Sequence, residues 1–182
     1  MEYLLEQFRR FFVDNGASEW WLSGLKATLC ITVIALLIGV VLGFTVAIIR
    51  STHEQTGKLK ILNAIARVYL SVIRGTPSMV QLLIFNFIIF ASVALNEIVV
   101  GGIAFGINSG AYVAEIVRSG IMSIDKGQME AGRSLGLSAG QTMKLIIMPQ
   151  AFKNVLPALI NEMIVLLKET AIIGYVGITD IT

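Results

Sequence analysis

Four residues near the end of the sequence, Asn161, Glu162, Lys168 and Glu169, place an amide, two carboxylates and an ammonium inside an otherwise apolar run. Glu162 and Glu169 are seven residues apart, as are Asn161 and Lys168, so on a helix each pair shares a face. A second set, Asn108, Tyr112, Glu115 and Ser119, recurs at i, i+4, i+7 and i+11, which draws one polar stripe along a helix. Ionisable groups in hydrocarbon cost about 2.5–3.5 kcal/mol or more each, so each needs a partner or a task. An ammonium among carboxylates and amides can pair to hold helices together. It can also meet a polar solute that carries charges of both signs. Glu115 and Arg118, at i and i+3, read as a structural pair. Other chemistries find no support. His53 is the single histidine and sits among charges with no second His or Cys beside it, so no metal site is expected. Cys30 is the single cysteine, inside an apolar run, where it behaves as a small hydrophobe. No G-x-x-x-x-G-K-[ST] segment is present to cradle a nucleotide phosphate.

The elements that would carry these groups are membrane spans. Of 182 residues, 55% are hydrophobic and 14% charged, against roughly 25% charged in a soluble domain. Mean hydropathy is +0.80. A chain this short cannot bury so much apolar surface within itself, so the bilayer is its solvent. The 14 Lys and Arg are spread from Arg9 to Lys168 and form no basic footprint, so nucleic acid is not expected as a partner. The first nineteen residues carry Glu2, Glu6, Asp14 and Glu19, unlike the positive start of a cleaved signal.

A helix needs about twenty apolar residues to cross a bilayer. The 23 uncharged residues Ala27 to Ile49 form the clearest span, with Gly39 and Gly43 at a close-packing spacing. Leu59 to Ile73 is amphipathic and could lie at the interface or begin the next helix. The 22 uncharged residues between Arg74 and Glu97 read as a second span, with Pro77 near its start. A third runs from about Ile98 to Ile124, with Gly102, Gly106, Gly110 and Ala114 on one narrow face. A fourth runs from about Pro157 to Ile178 and holds Lys168 and Glu169 near its middle. The expected fold is an all-α polytopic transmembrane helix bundle, residues 1–182 forming one domain. Arg50, Lys58, Lys60 and Arg67 follow the first span, and Lys126, Arg133, Lys144 and Lys153 follow the third. The connection near Ser92 to Val100 has neither Lys nor Arg. By the positive-inside rule, connections 50–74 and 125–153 are cytoplasmic and the N-terminus is outside.

The connection Asp125 to Lys153 is 29 residues long. Two short helices fit it. The first, about Gln128 to Leu135, stops at Gly136, which suits a left-handed cap. Ser138 opens the second, with Gln141 three residues on as in a capping box. Pro149 near its end can turn the chain toward the membrane. Apolar Leu135, Leu137, Met143 and Ile146 give this unit one surface to bury, on its own bundle or on another protein.

These residues carry a resemblance. Glu130-Ala131-Gly132, three residues, Gly136, nine residues, then Ile146-Ile147-Met148-Pro149 resembles the EAA motif of bacterial ABC importer permeases, which reads Glu-Ala-Ala, Gly, Ile-x-Leu-Pro at that spacing. Gly132 replaces the second Ala and Met148 the Leu. Ile73-Arg74-Gly75-Thr76-Pro77, Asn108 to Glu115 and Leu167-Lys168-Glu169-Thr170 are similar to the polar amino acid branch of that family. The match extends from about Trp20 to Asp180.

The resemblance implies a type I importer permease in a bacterial inner membrane. It implies an ATP-driven cycle with no cofactor on this chain, since ATP is bound by a separate ABC ATPase dimer. Glu130, Ala131, Gly132, Gly136, Ile146 and Pro149 would couple to that ATPase. The other implied partners are a second permease subunit, identical or not, and an extracytoplasmic amino-acid-binding protein. With an amino acid as solute, Asn108, Tyr112, Glu162, Lys168 and Glu169, with Thr76, are expected to line its path. The family pattern has five spans, so a fifth is expected beyond the four counted here. The alternative reading is an ion-coupled secondary transporter, which would use broken helices and inverted repeats. No repeat is visible.

Overall fold

The computed structural model describes residues 1–10 and 17–176, and these are helical almost throughout. A short helix α1 (Glu2–Arg9) precedes α2 (Ala17–Thr56). At about 1.5 Å per residue, the 40 residues of α2 reach roughly 60 Å, well beyond a hydrocarbon core of about 30 Å. A turn with Gly57 at φ 67° and Leu59 at φ 58° leads into α3 (Lys60–Gly75). Thr76 and Pro77 are extended, as the restriction on the residue before proline requires. Then α4 (Ser78–Ile84) continues as a wide π-type turn over Phe85–Ile89. Asn96 caps α5 (Glu97–Met122) by accepting from the Ile98 amide at 2.8 Å.

The centre of the bundle is α5, and residue size decides what packs on it. Its glycine face lies against α2: a Cβ at Gly102 would stand 2.6 Å from Ile34 Cγ2, and one at Gly106 2.7 Å from Ile38 Cβ. From α2, a Cβ at Gly43 would stand 2.5 Å from Val113 Cγ1. Residue numbers rise together along both helices, so α2 and α5 run parallel. Close approach of backbones is what small residues contribute where lipid supplies no hydrophobic drive. The glycine spacing in each helix marks the face that packs closely, and the partner of each face is the other. Opposite α2 packs α8 (Met148–Glu169), running antiparallel to α5, from Gly120 beside Val155 to Gly101 beside Ile173. Ile31, Phe105, Leu166 and Ile173 meet in the core, all at 2% exposure or less.

Three span assignments change. By length and composition, two helices can cross a membrane, Ser18–Glu54 and Glu97–Met122, or three if a bent pair counts as one. The expected second span is not one straight helix. Lys60–Gly75 and Ser78–Ile89 meet at 108°, and the second piece has 12 residues, about 18 Å, which is too short to cross alone. Absence of charge over 75–96 gave the right solvent but not the break that Thr76-Pro77 imposes. Second, the amphipathic segment Leu59 to Ile73 forms nearly all of α3, while the polar start of connection 50–74 continues α2 as far as Thr56. Third, the fourth helix begins at Met148 and ends at Glu169, where a 3-10 turn takes over Thr170–Val176. Lys168 and Glu169 therefore stand at its end, not its middle. Lys153, Asn154, Asn161 and Glu162 keep α8 less apolar than α2 or α5. The last residues of the expected fourth span, 177 and 178, lie outside the described residues, as does Asp14.

Candidate functional site: a capped loop and two buried polar contacts

The segment after α5 forms a compact helical unit. Asp125 caps α6 (Lys126–Ser134) by accepting from the Gly127 amide at 2.6 Å. Gly136 adopts φ 84°, the left-handed conformation that favours glycine. Its amide donates to Arg133 O and the Leu137 amide donates to Gly132 O, which completes a Schellman cap. Ser138 and Gln141 form both halves of a capping box at the start of α7 (Ala139–Thr142). A π-type turn over Met143–Ile147 follows, and α8 begins at Met148. Pro149 sits where this turn joins α8, in a helical path unbroken from Ala139 to Glu169.

Gly132 is the buried pivot of this unit. A Cβ there would stand 2.4 Å from Thr142 Cγ2 and 3.1 Å from Ile146 Cδ1. Glu130 and Ala131 beside it are exposed, and so are Gly136 and Pro149. Leu135 is 81% exposed and Leu145 61%. The unit therefore presents acidic, small and apolar side chains outward from a rigid joint. Asn154 donates to Ser123 Oγ at 2.9 Å, which ties the start of α8 to the end of α5.

The expected path residues divide into two buried contacts. In the first, Asn108, 4% exposed, donates to Gln81 Oε1 at 3.0 Å. Gln81 Nε2 in turn donates to Ile73 O at 2.7 Å, Thr76 O at 3.0 Å and Thr76 Oγ1 at 2.8 Å. One amide therefore satisfies the free carbonyls of the α3–α4 break and links them to α5. Thr76 Oγ1 also donates to Val72 O at 2.9 Å. Tyr112, one turn along α5 from Asn108, lies 5.8 Å below the Arg74 guanidinium in a cation–π contact. In the second contact, Ser109 donates to Glu162 Oε1 at 2.8 Å between α5 and α8, both residues buried.

Glu169 is half-buried and within electrostatic range of Glu162 and Lys168. Lys168 itself is exposed and makes no ion pair among the described residues. Glu115 pairs with Arg118 as expected, and also with Arg50 at 3.3 Å and Arg74 at 3.7 Å.

Sequence reasoning missed Gln81 and Ser109. Gln81 had a signal, an amide in an uncharged run, because buried amides need partners. Ser109 had none, since a serine on a packed face looks like any small residue.

The family of binding-protein-dependent transport system inner membrane components matches residues 39–181. The chain belongs to that family. A solved amino acid ABC transporter with histidines is 42% identical, with a TM-score of 0.84 over 94% of this chain and 78% of that one. The arginine transport system permease protein ArtQ of Bacillus subtilis (strain 168) is 40% identical over 88% of this chain and 72% of its own length. The glutamine transport system permease protein GlnP of Escherichia coli (strain K12) is 36% identical over 88% of this chain and 73% of its own. The all-α bundle and the importer permease class are thereby established. The secondary-transporter alternative falls, because its mechanism is not that of the matched family.

Proposed function

We propose that this inner membrane component forms one half of the path by which an ABC importer takes up polar amino acids. Its likeness to the solved amino acid transporter carries the solute class, since the match extends over nearly the whole chain. ATP would be bound by a separate ATPase dimer, and the solute would be delivered by an extracytoplasmic binding protein. A second permease subunit would supply the other half of the path. The parallel run of α2 and α5 supports opposite sides of the membrane for the N-terminus and 125–153, and the Lys and Arg residues of 125–153 support the cytoplasmic side for that loop.

The coupling role falls to Glu130, Ala131, Gly132, Gly136, Ile146 and Pro149. Gly132 and Ile146 hold the joint, while Glu130 and Ala131 face outward beside Leu135. A force on that face would pass through α8 to Glu162 and through Asn154–Ser123 to α5. The path residues are Asn108, Tyr112, Glu162, Lys168 and Glu169, with Thr76. The Lys168 ammonium, which has no ion pair among the described residues, suits a solute carboxylate, and the half-buried Glu169 suits a solute ammonium.

Uptake of radiolabelled arginine and glutamine by the assembled transporter tests this. Lys168→Met and Glu169→Gln are each expected to cut uptake at normal expression. Wild-type rates in both variants would remove them from the path.

A further inference from the structure

We propose that an anionic phospholipid binds this chain between α2 and α3, its phosphate held by Arg50, Arg67, Ser71 and Arg74. These side chains surround a cavity of about 380 Å³, with Gly75 and Leu70 completing the wall. The site is distinct from the loop, and Arg74 joins it to the Tyr112 contact.

Charge is the first support. Four guanidiniums, Arg50, Arg67, Arg74 and Arg118, gather around two carboxylates, Glu54 and Glu115. Arg50 reaches Glu115 at 3.3 Å and Glu54 at 3.6 Å, Arg74 reaches Glu115 at 3.7 Å, and Arg118 reaches Glu54 at 3.8 Å. Arg67 has no ion pair among the described residues. The cluster thus keeps an excess of two positive charges at the end of the long span Ser18–Glu54. Each guanidinium carries about five donors, far more than two carboxylates can accept, and the planar fork matches a phosphate. Basic pockets between helices at a membrane surface are suited to lipid headgroups.

The adjoining surface decides between a lipid and a soluble anion. The next face of α3 forms an apolar groove of about 530 Å³ lined by Ala64, Ile65, Val68, Tyr69, Val72 and Ile73. Ile65 is 60% and Val68 63% exposed, so this face lacks a partner among the described residues. Positions 67, 71 and 74 and positions 65, 68 and 72 stand about a third of a turn apart around α3. A phosphate in the first cavity would leave its acyl chains free to follow the apolar flank of the helix toward the second. A free phosphate would use only the first.

The assembled transporter in a neutral detergent is titrated with dioleoylphosphatidylglycerol or dioleoylphosphatidylcholine, and retained lipid is counted by native mass spectrometry. Retention of the phosphatidylglycerol is expected to exceed that of the phosphatidylcholine. Arg67→Gln touches no ion pair and is expected to lower phosphatidylglycerol retention about fivefold, the effect of one cation near a charged headgroup. Its melting temperature without lipid should stay at the wild-type value. Ile65→Asn should lower retention of phosphatidylglycerol as well. Equal retention of the two lipids, or no change in Arg67→Gln, would overturn the proposal. If inorganic phosphate alone displaces the lipid and gives the same thermal shift, the site takes a soluble anion and the lipid assignment is wrong.

Discussion

Gly132 and Thr142 touch so closely that the space for one methyl group is missing between them: a Cβ at 132 would lie 2.4 Å from Thr142 Cγ2. Related motifs carry alanine where this chain has Gly132, and the β-branched Thr142 fills the room that alanine would take. Thr142 is fully buried and its Oγ1 donates to Ser138 O at 3.0 Å, so it cannot swing away freely.

Gly132→Ala is therefore expected to destabilise the loop joint by about 1–3 kcal/mol, the usual range for overpacking. Thr142→Ser removes the clashing methyl and keeps the hydroxyl. The double variant Gly132→Ala with Thr142→Ser should recover part of the loss, because the hydroxyl oxygen at 142 would still stand 2.9 Å from the new Cβ. Thermal unfolding of the four proteins in detergent gives the coupling directly. Additive losses would show that the two residues do not share this contact.

The Ser109–Glu162 bond separates a packing role from a path role. Ser109→Ala leaves a buried carboxylate without its donor and should cost about 1–3 kcal/mol in stability. Glu162→Gln keeps an acceptor oxygen for Ser109 and should fold normally. If Glu162 belongs to the path, this same variant loses uptake while its melting temperature holds. Full uptake by Glu162→Gln would leave Glu162 as a helix pin only.

Gln81 supports the 108° break. Gln81→Leu would leave Ile73 O, Thr76 O and Asn108 Nδ2 without this partner. A loss of about 1–3 kcal/mol is expected for the first group left unsatisfied, and more if the others find no water. The measurement is the melting temperature beside that of Asn108→Ala. A Gln81→Leu protein as stable as wild type would mean the break is held by packing instead.

How much of this was legible depended on the kind of signal. Glycine and cap residues have one-residue meanings, so the close-packing faces of α2 and α5, the Gly136 cap and the Ser138–Gln141 box could be read directly, but not which helix meets which. Glu115 with Arg118 was readable because i and i+3 are neighbours on a helix. Its further partners Arg50 and Arg74 come from other helices, and nothing local encodes them. Hydropathy predicted a continuous second span because it counts solvent preference and is blind to the Thr76-Pro77 break. The same blindness put Lys168 and Glu169 mid-helix. Apolar residues on both sides hid the change to a 3-10 turn at Thr170.

In the proposed cycle the outward face of the 125–153 loop transmits ATP hydrolysis to the helices. Leu135 is the residue on which to test this, because at 81% exposure it has little to lose within its own chain. The complete transporter carrying Leu135→Asp is reconstituted in proteoliposomes, and ATP-dependent uptake of arginine and glutamine is measured beside co-purification of the ATPase. A normally folded chain that loses both ATPase association and uptake is expected. Undiminished ATP-driven uptake with the ATPase still bound would rule the coupling role out.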